Sequence, residues 1–83
     1  MSKQEVVIIT GAGRGIGAAT AKLFARNAYA VCINYKSDVN SANRLAQVIT
    51  ENGGKCITVQ ADVSCEDDVK RLFATVDETL GVV

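Results

Sequence analysis

A chain of 83 residues, 48% hydrophobic and 5% aromatic, supplies one domain at most, and at this mass folding buries only about 60% of the surface the unfolded chain exposes. Nine Lys and Arg balance nine Asp and Glu, so no excess of positive charge marks a nucleic-acid face or a membrane surface. No apolar run approaches a membrane span, Met1-Ser2-Lys3-Gln4-Glu5 has no signal-peptide core, the three Cys avoid CxxC and metal-like spacings, and the lack of His excludes His-based general bases and most zinc sites, so a cytoplasmic, metal-free protein with neither nucleic-acid nor membrane partner is expected.

The first element is the continuous apolar run Val6 to Thr10, the pattern of a strand covered on both faces of a parallel sheet. A Gly-rich stretch follows, and then a helical pattern from about Ile16 to Asn27. Leu23 and Phe24 are read as its core face, with Lys22 and Arg26 on a more exposed side. Ala30-Val31-Cys32-Ile33 is a second apolar strand ending near Asn34-Tyr35, in which Cys32 behaves as a small buried hydrophobe. Asp38 to Ser41 supplies helix-start residues, Ala42, Leu45, Ala46 and Ile49 recur at helical spacing, and Gly53-Gly54 ends that helix. Lys55 to Gln60 is a third strand. Ser64, with Asp67 three residues on, has the form of a helix-capping pair ahead of the amphipathic stripe Val69, Leu72, Phe73, Val76 and Leu80, which Gly81 closes. The order β-α-β-α-β-α predicts an α/β fold with a parallel sheet. It is one half of a doubly wound, Rossmann-type fold, with strand order 3-2-1.

The Gly-rich stretch reads Thr10-Gly-Ala-Gly-Arg-Gly-Ile-Gly17. Glycine admits positive φ and lets a ligand approach the backbone where a Cβ would stand, and the helix behind it offers unpaired N–H groups and a positive dipole end to a phosphate. A Walker loop is ruled out because Ala18 and Ala19, not Lys and Ser or Thr, follow Gly17. The GxGxxG spacing fails from Gly11, whose last position is Ile16, and is met only loosely from Gly13 through Gly15 and Ala18. The spacing that fits is Thr10-Gly11, three residues, Gly15, one residue, Gly17. Between a strand and a helix, this string resembles the TGxxxGxG cofactor loop of the short-chain dehydrogenase/reductase family.

The resemblance implies roles for particular residues. Backbone groups at Gly11, Arg14 and Ile16 would cradle cofactor phosphates and ribose, while Gly15 and Gly17 permit close approach. At the end of the second strand an acidic residue would bond a ribose 2′-OH; here Tyr35, Lys36 and Ser37 stand there, with no carboxylate before Asp38. Lys36 with Arg14 is similar to the family's basic pair for a 2′-phosphate, which makes NADP the expected cofactor and NAD the lesser one. The competing reading of Lys36 is an ordinary solvated charge. Asp62 and Val63 match the family's adenine-holding positions; the local alternative is that Asp62 caps the following helix.

The family's catalytic Ser, Tyr-xxx-Lys pair and Asn have no counterpart in the chain: Tyr29 is followed four residues later by Ile33, and Tyr35 by Val39. The Asn-Asn-Ala-Gly string of the family is likewise missing, and Gly81-Val82-Val83 falls about where a fourth strand would begin. Residues 1–83 are therefore expected to form the N-terminal part of an NAD(P)-binding domain, holding no catalytic residue of its own. The parent would be an oxidoreductase acting on a small carbonyl or alcohol, similar to 3-oxoacyl reductases and glucose dehydrogenases, and homo-oligomeric as the family implies. The alternatives are a non-catalytic dinucleotide-binding module or inactive remnant and, more remotely, a FAD or ATP site on the same half-fold.

Overall fold

The computed structural model describes residues 5–11 and 15–81. Its elements are β1 (Val6–Thr10), α1 (Gly15–Arg26), β2 (Ala30–Tyr35), α2 (Val39–Glu51), β3 (Lys55–Gln60) and α3 (Glu66–Thr79). The three strands form one parallel sheet in the order β1-β2-β3, the expected 3-2-1 counted from the other edge. Register runs from Val6↔Ala30 to Thr10↔Asn34 on one side of β2, and from Ala30↔Lys55 to Tyr35↔Gln60 on the other. All three strands therefore end together at one edge of the sheet.

The central strand shows why the chain needs helices on both faces. Successive side chains of a strand point to opposite sides. Val31 and Ile33 pack with Ala21 of α1 and with Ala42, Leu45 and Ile49 of α2. Ala30 and Cys32 pack the other way, with Val6, Val59, Ala61, and Leu72 and Val76 of α3. Every residue from Ala30 to Asn34 is buried. In α2, Asp38 caps the N-terminus as expected: its Oδ1 accepts the Ser41 N–H at 3.1 Å and its Oδ2 accepts the Ser41 hydroxyl at 2.7 Å. At the far end, a Cβ on Gly54 would lie 2.7 Å from Ile49 Cγ2, so only glycine lets the turn into β3 fold back this closely.

Three sequence expectations require correction. Leu23 is 58% exposed and does not belong to the core face of α1. That face is the fully buried Ala21, flanked by Ala18, Phe24 and Ala25. At 3.6 residues per turn, Leu23 sits about 200° around the helix from Ala21. Phe73 is likewise exposed, because the buried stripe of α3 centres on Leu72 and Val76. Ser64 does not cap α3. The helix begins at Glu66 with Cys65 at the cap and no side-chain cap bond, and the Ser64 hydroxyl donates instead to Asp62 Oδ1 at 2.6 Å. Glu66, Asp67 and Asp68 in the first turn complement the helix dipole in its place.

Burial also sets a pH limit. It pushes the Cys32 thiol up to about 12, with a smaller push from Cys56, and the Cys56 thiol up to about 11, from an ordinary 9.0. Above pH 9 the unfolded chain releases thiol protons that the folded chain retains, so stability falls as pH rises. Each thiol contributes about 1.4 kcal/mol per pH unit past its unfolded value, a loss on the order of 2–3 kcal/mol for the pair between pH 8 and pH 10. Urea unfolding in reductant at the two pH values measures it. A Cys32→Val/Cys56→Val variant should show the smaller loss; an identical loss would assign the effect to other groups.

Candidate functional site

The positions singled out in the sequence gather where the three strands end, the edge at which open α/β sheets bind ligands. Thr10 closes β1, and Gly11 turns away from it with φ of +61° while its N–H donates to the Asn34 carbonyl at 3.2 Å. Gly15 opens α1 with φ of +66°, Ile16 beside it is exposed, and Gly17 lies within the first turn. A Cβ at Gly11 or Gly15 would meet nothing within 4 Å, so glycine is needed there for backbone conformation rather than for space. Arg14 lies outside the described residues.

The second cluster is at the ends of β2 and β3. Tyr35, the last residue of β2, is half-buried against the α1/α2 side of the core. Lys36 follows it into solvent; its backbone carbonyl accepts from the Gln60 side-chain amide at 3.0 Å, and its Nζ stands 3.6 Å from Asp62 Oδ2. Ser37 is exposed, and its carbonyl accepts the Val39 N–H that leads into α2. Asp62 accepts both the N–H and the hydroxyl of Ser64, at 2.9 and 2.6 Å. Those two bonds, with the Lys36 ammonium adding to them, hold its carboxyl below the usual carboxylate range. Asp62 thus organises the turn before α3 without capping the helix. Val63 beside it is exposed.

The structure therefore brings together Thr10, Gly11, Tyr35, Lys36 and Asp62 across neighbouring strand ends, with Gly15 to Gly17 at the head of α1. It also reveals participants that the sequence reading missed. Asn34 is the only buried polar or charged residue among the described ones, and its side-chain amide donates to the Val59 and Ala61 carbonyls at 3.3 and 3.1 Å. Asp68 accepts the Asp62 N–H at 2.9 Å, and Arg71 donates to the Gln60 carbonyl at 2.6 Å. A lone amide inside an otherwise apolar strand was the available signal for Asn34; nothing local distinguishes Asp68 from its acidic neighbours.

A groove of about 430 Å³ lies between α1 and α2, lined by Lys22, Arg26, Val48 and Asn52 among others. It opens at the opposite end of the sheet, near the start of β3, and shares no residue with the Gly-rich turn. Among the described residues no group of three or more Cys, Asp or Glu is placed to hold a metal ion, and no helix is long and apolar enough to cross a membrane.

Residues 5–83 match the family model described as short chain dehydrogenase. The chain is 40% identical over 73 residues to an uncharacterized oxidoreductase of Escherichia coli, covering 88% of this chain and 30% of that protein. It is 38% identical over 79 residues to glucose 1-dehydrogenase 2 of Bacillus subtilis, covering 95% and 31%. A metagenomic short-chain oxidoreductase solved in complex with NADP superposes with a TM-score of 0.85 at 28% identity, covering 95% of this chain and 35% of that one. The chain thus spans about a third of the length of the proteins it matches.

Proposed function

Because the chain belongs to the short-chain dehydrogenase family, which it matches from residue 5 to residue 83, we propose that it is the cofactor-binding part of an NADP(H)-dependent oxidoreductase. The reaction is hydride transfer between the nicotinamide and a small carbonyl or alcohol substrate. The observation that carries this reading is the convergence of Gly11, the Gly15–Gly17 head of α1, Lys36 and Asp62 where the strands of one parallel sheet end. In this arrangement the pyrophosphate rests at the N-terminus of α1, over backbone N–H groups that no side chain shields at Gly11, Gly15 and Gly17. Tyr35, Lys36 and Ser37 flank the adenosine ribose, and Asp62 with Val63 borders the adenine.

The preference for NADP over NAD rests on the charge at the end of β2. No carboxylate stands at Tyr35 to accept from a ribose 2′-OH, whereas Lys36 places an ammonium at the mouth between β2 and β3. Arg14 of the Gly-rich turn is its proposed companion. The Asp62 carboxylate draws Lys36 toward the adenine side without burying it, since the lysine side chain remains 73% exposed. The lysine is therefore free to turn to a phosphate carrying close to two negative charges. Among the chain's structural neighbours the metagenomic oxidoreductase holds NADP and another oxidoreductase holds NAD, so the assignment rests on the charge at the end of β2 and not on the neighbours.

A charge-assisted hydrogen bond contributes roughly 1.5–3 kcal/mol, and solvent screening at an exposed site keeps it near the lower end. Two such contacts give NADPH an expected advantage on the order of 2–3 kcal/mol, about 30- to 150-fold in affinity. Titrating NADPH and NADH into the full-length protein that carries this chain, at low and high ionic strength, tests the reading. Lys36→Ala should weaken NADPH and leave NADH nearly unchanged, and the wild-type preference should shrink as salt rises. Wild-type protein that favours NADH, or a Lys36→Ala loss equal for both cofactors, would return Lys36 to the status of a surface charge.

A further inference from the structure

We infer that Asn34 and Asp68 are positioning residues that grip the Ala61–Asp62 peptide group from two sides and so pre-set Asp62 and Val63 for the adenine end of the cofactor. The inference rests on the cofactor reading above and extends it to two residues that touch no ligand in that reading.

Ala61 lies just past the end of β3, where the sheet ladder runs out. A chain leaving a sheet there ordinarily gives its peptide groups to water and gains freedom to rotate. Here both ends of one peptide plane are held. The Ala61 carbonyl accepts from Asn34 Nδ2 at 3.1 Å, and the Asp62 N–H donates to Asp68 Oδ2 at 2.9 Å. One residue earlier, the Gln60 carbonyl accepts from Arg71 at 2.6 Å, and Arg71 stands 3.9 Å from Asp68. Three backbone groups between Gln60 and Asp62 are thus tied to side chains from two other elements, one from β2 and two from α3, and the Ala61 N–H among them donates to the Tyr35 carbonyl at 3.0 Å. A peptide plane fixed at its oxygen and its nitrogen cannot turn about the strand axis, so the Cα of Asp62 has a set place.

Packing alone gives no reason for an amide at position 34. The four preceding residues of β2 are Ala, Val, Cys and Ile, and Asn34 is only 3% exposed. A buried amide costs stability unless its hydrogen bonds are satisfied. Both donors of Asn34 are used, on Val59 and Ala61, and its own backbone carbonyl accepts the Gly11 N–H that begins the Gly-rich turn. Asn34 therefore joins the turn after β1 to the turn after β3, the two places where the cofactor's phosphate and adenine ends lie in the proposed reading. Asp68 completes the grip from the first turn of α3. Fixing these groups before the ligand arrives removes ordering cost at binding, which is how a residue without ligand contact raises affinity.

The experiment measures NADPH affinity in the full-length protein for wild type, Asn34→Leu, Asp68→Ala, Asp68→Asn and Asp67→Ala, with folding checked by circular dichroism. Losing one hydrogen bond of the clamp should weaken NADPH about five- to tenfold in Asn34→Leu and in Asp68→Ala. Asp68→Asn, whose amide oxygen still accepts the Asp62 N–H, should recover most of the loss seen in Asp68→Ala. Asp67→Ala removes the neighbouring charge of the same helix turn without touching the clamped peptide, and it should bind NADPH as wild type does. Asp68 is partly solvent-facing, so its variants keep the test alive where Asn34→Leu fails to fold. Wild-type affinity in a folded Asp68→Ala, or failure of Asp68→Asn to recover, overturns the clamp while leaving the cofactor reading intact. Wild-type protein that binds neither NADPH nor NADH overturns both.

Discussion

Tyr35→Asp is expected to reverse the proposed cofactor preference of the full-length protein from NADPH to NADH. Tyr35 is the last residue of β2 and pairs in register with Gln60, one residue past the row that aligns Thr10, Asn34 and Val59. In the proposed cofactor placement a carboxylate there would meet the ribose at its 2′ position. It accepts from a 2′-OH in NADH and faces a doubly charged 2′-phosphate in NADPH. The first effect contributes roughly 1.5–3 kcal/mol in favour of NADH, and the repulsion adds several kcal/mol against NADPH before screening. The expected swing is about 3–4 kcal/mol, or roughly 150- to 1000-fold in the ratio of the two dissociation constants. Calorimetric titration of both cofactors into wild type, Tyr35→Asp and Tyr35→Phe reads the ratio directly. Tyr35→Phe keeps the ring that packs against the α1/α2 side of the core, so it should leave the ratio near that of wild type. A variant in which both cofactors weaken by the same factor would place the ribose elsewhere.

Ile33→Ala should be the most destabilising single truncation of the core. Ile33 is fully buried in the middle of the central strand, in the same cluster as Ala21, Leu45 and Ile49 from the two helices on that face. Truncating it forfeits the transfer energy of the lost methyl and methylene groups and leaves a cavity that backbone hydrogen bonds on both sides of β2 prevent from closing. The expected loss is about 2–5 kcal/mol. A small domain holds little more than that in reserve, so the variant should be marginal or unfolded at 25 °C. Ile33→Val should lose about 0.5–1.5 kcal/mol by the same reasoning. Leu23→Ala, on the exposed side of α1, should change stability by no more than about 0.5 kcal/mol. Urea unfolding monitored by circular dichroism ranks the three. Comparable losses from Ile33→Ala and Leu23→Ala would contradict the packing described for α1 and β2.

The elements and their order were legible in the sequence because each has a local cause. The apolar runs at Val6 and Ala30 have the length and β-branched content of strands covered on both faces. Asp38 forms a cap with Ser41 three residues away, and Gly54 permits a close approach to Ile49 five residues away. β1 and β3 have the expected limits, and α1 differs by a residue at each end. The Gly-rich string was legible for the same reason: its spacing and its place between a strand and a helix are both properties of a short stretch. What the sequence left open depends on partners far apart in the chain. Both faces of α1 carry enough apolar residues to serve as a core face, and only the position of β2 under the helix selects Ala21 over Leu23. Ser64 was as good a cap by pattern as any serine, but the Asp62 carboxylate stands within 2.6 Å and takes its hydroxyl. The pairing of Lys36 with Asp62 spans two neighbouring strand ends, and Asn34 reaches 27 residues ahead to the Ala61 carbonyl. Periodicity records which side of an element is apolar. It holds no record of which carbonyl in the next strand a buried amide will meet, and the parallel register of β2 against β3 decided that.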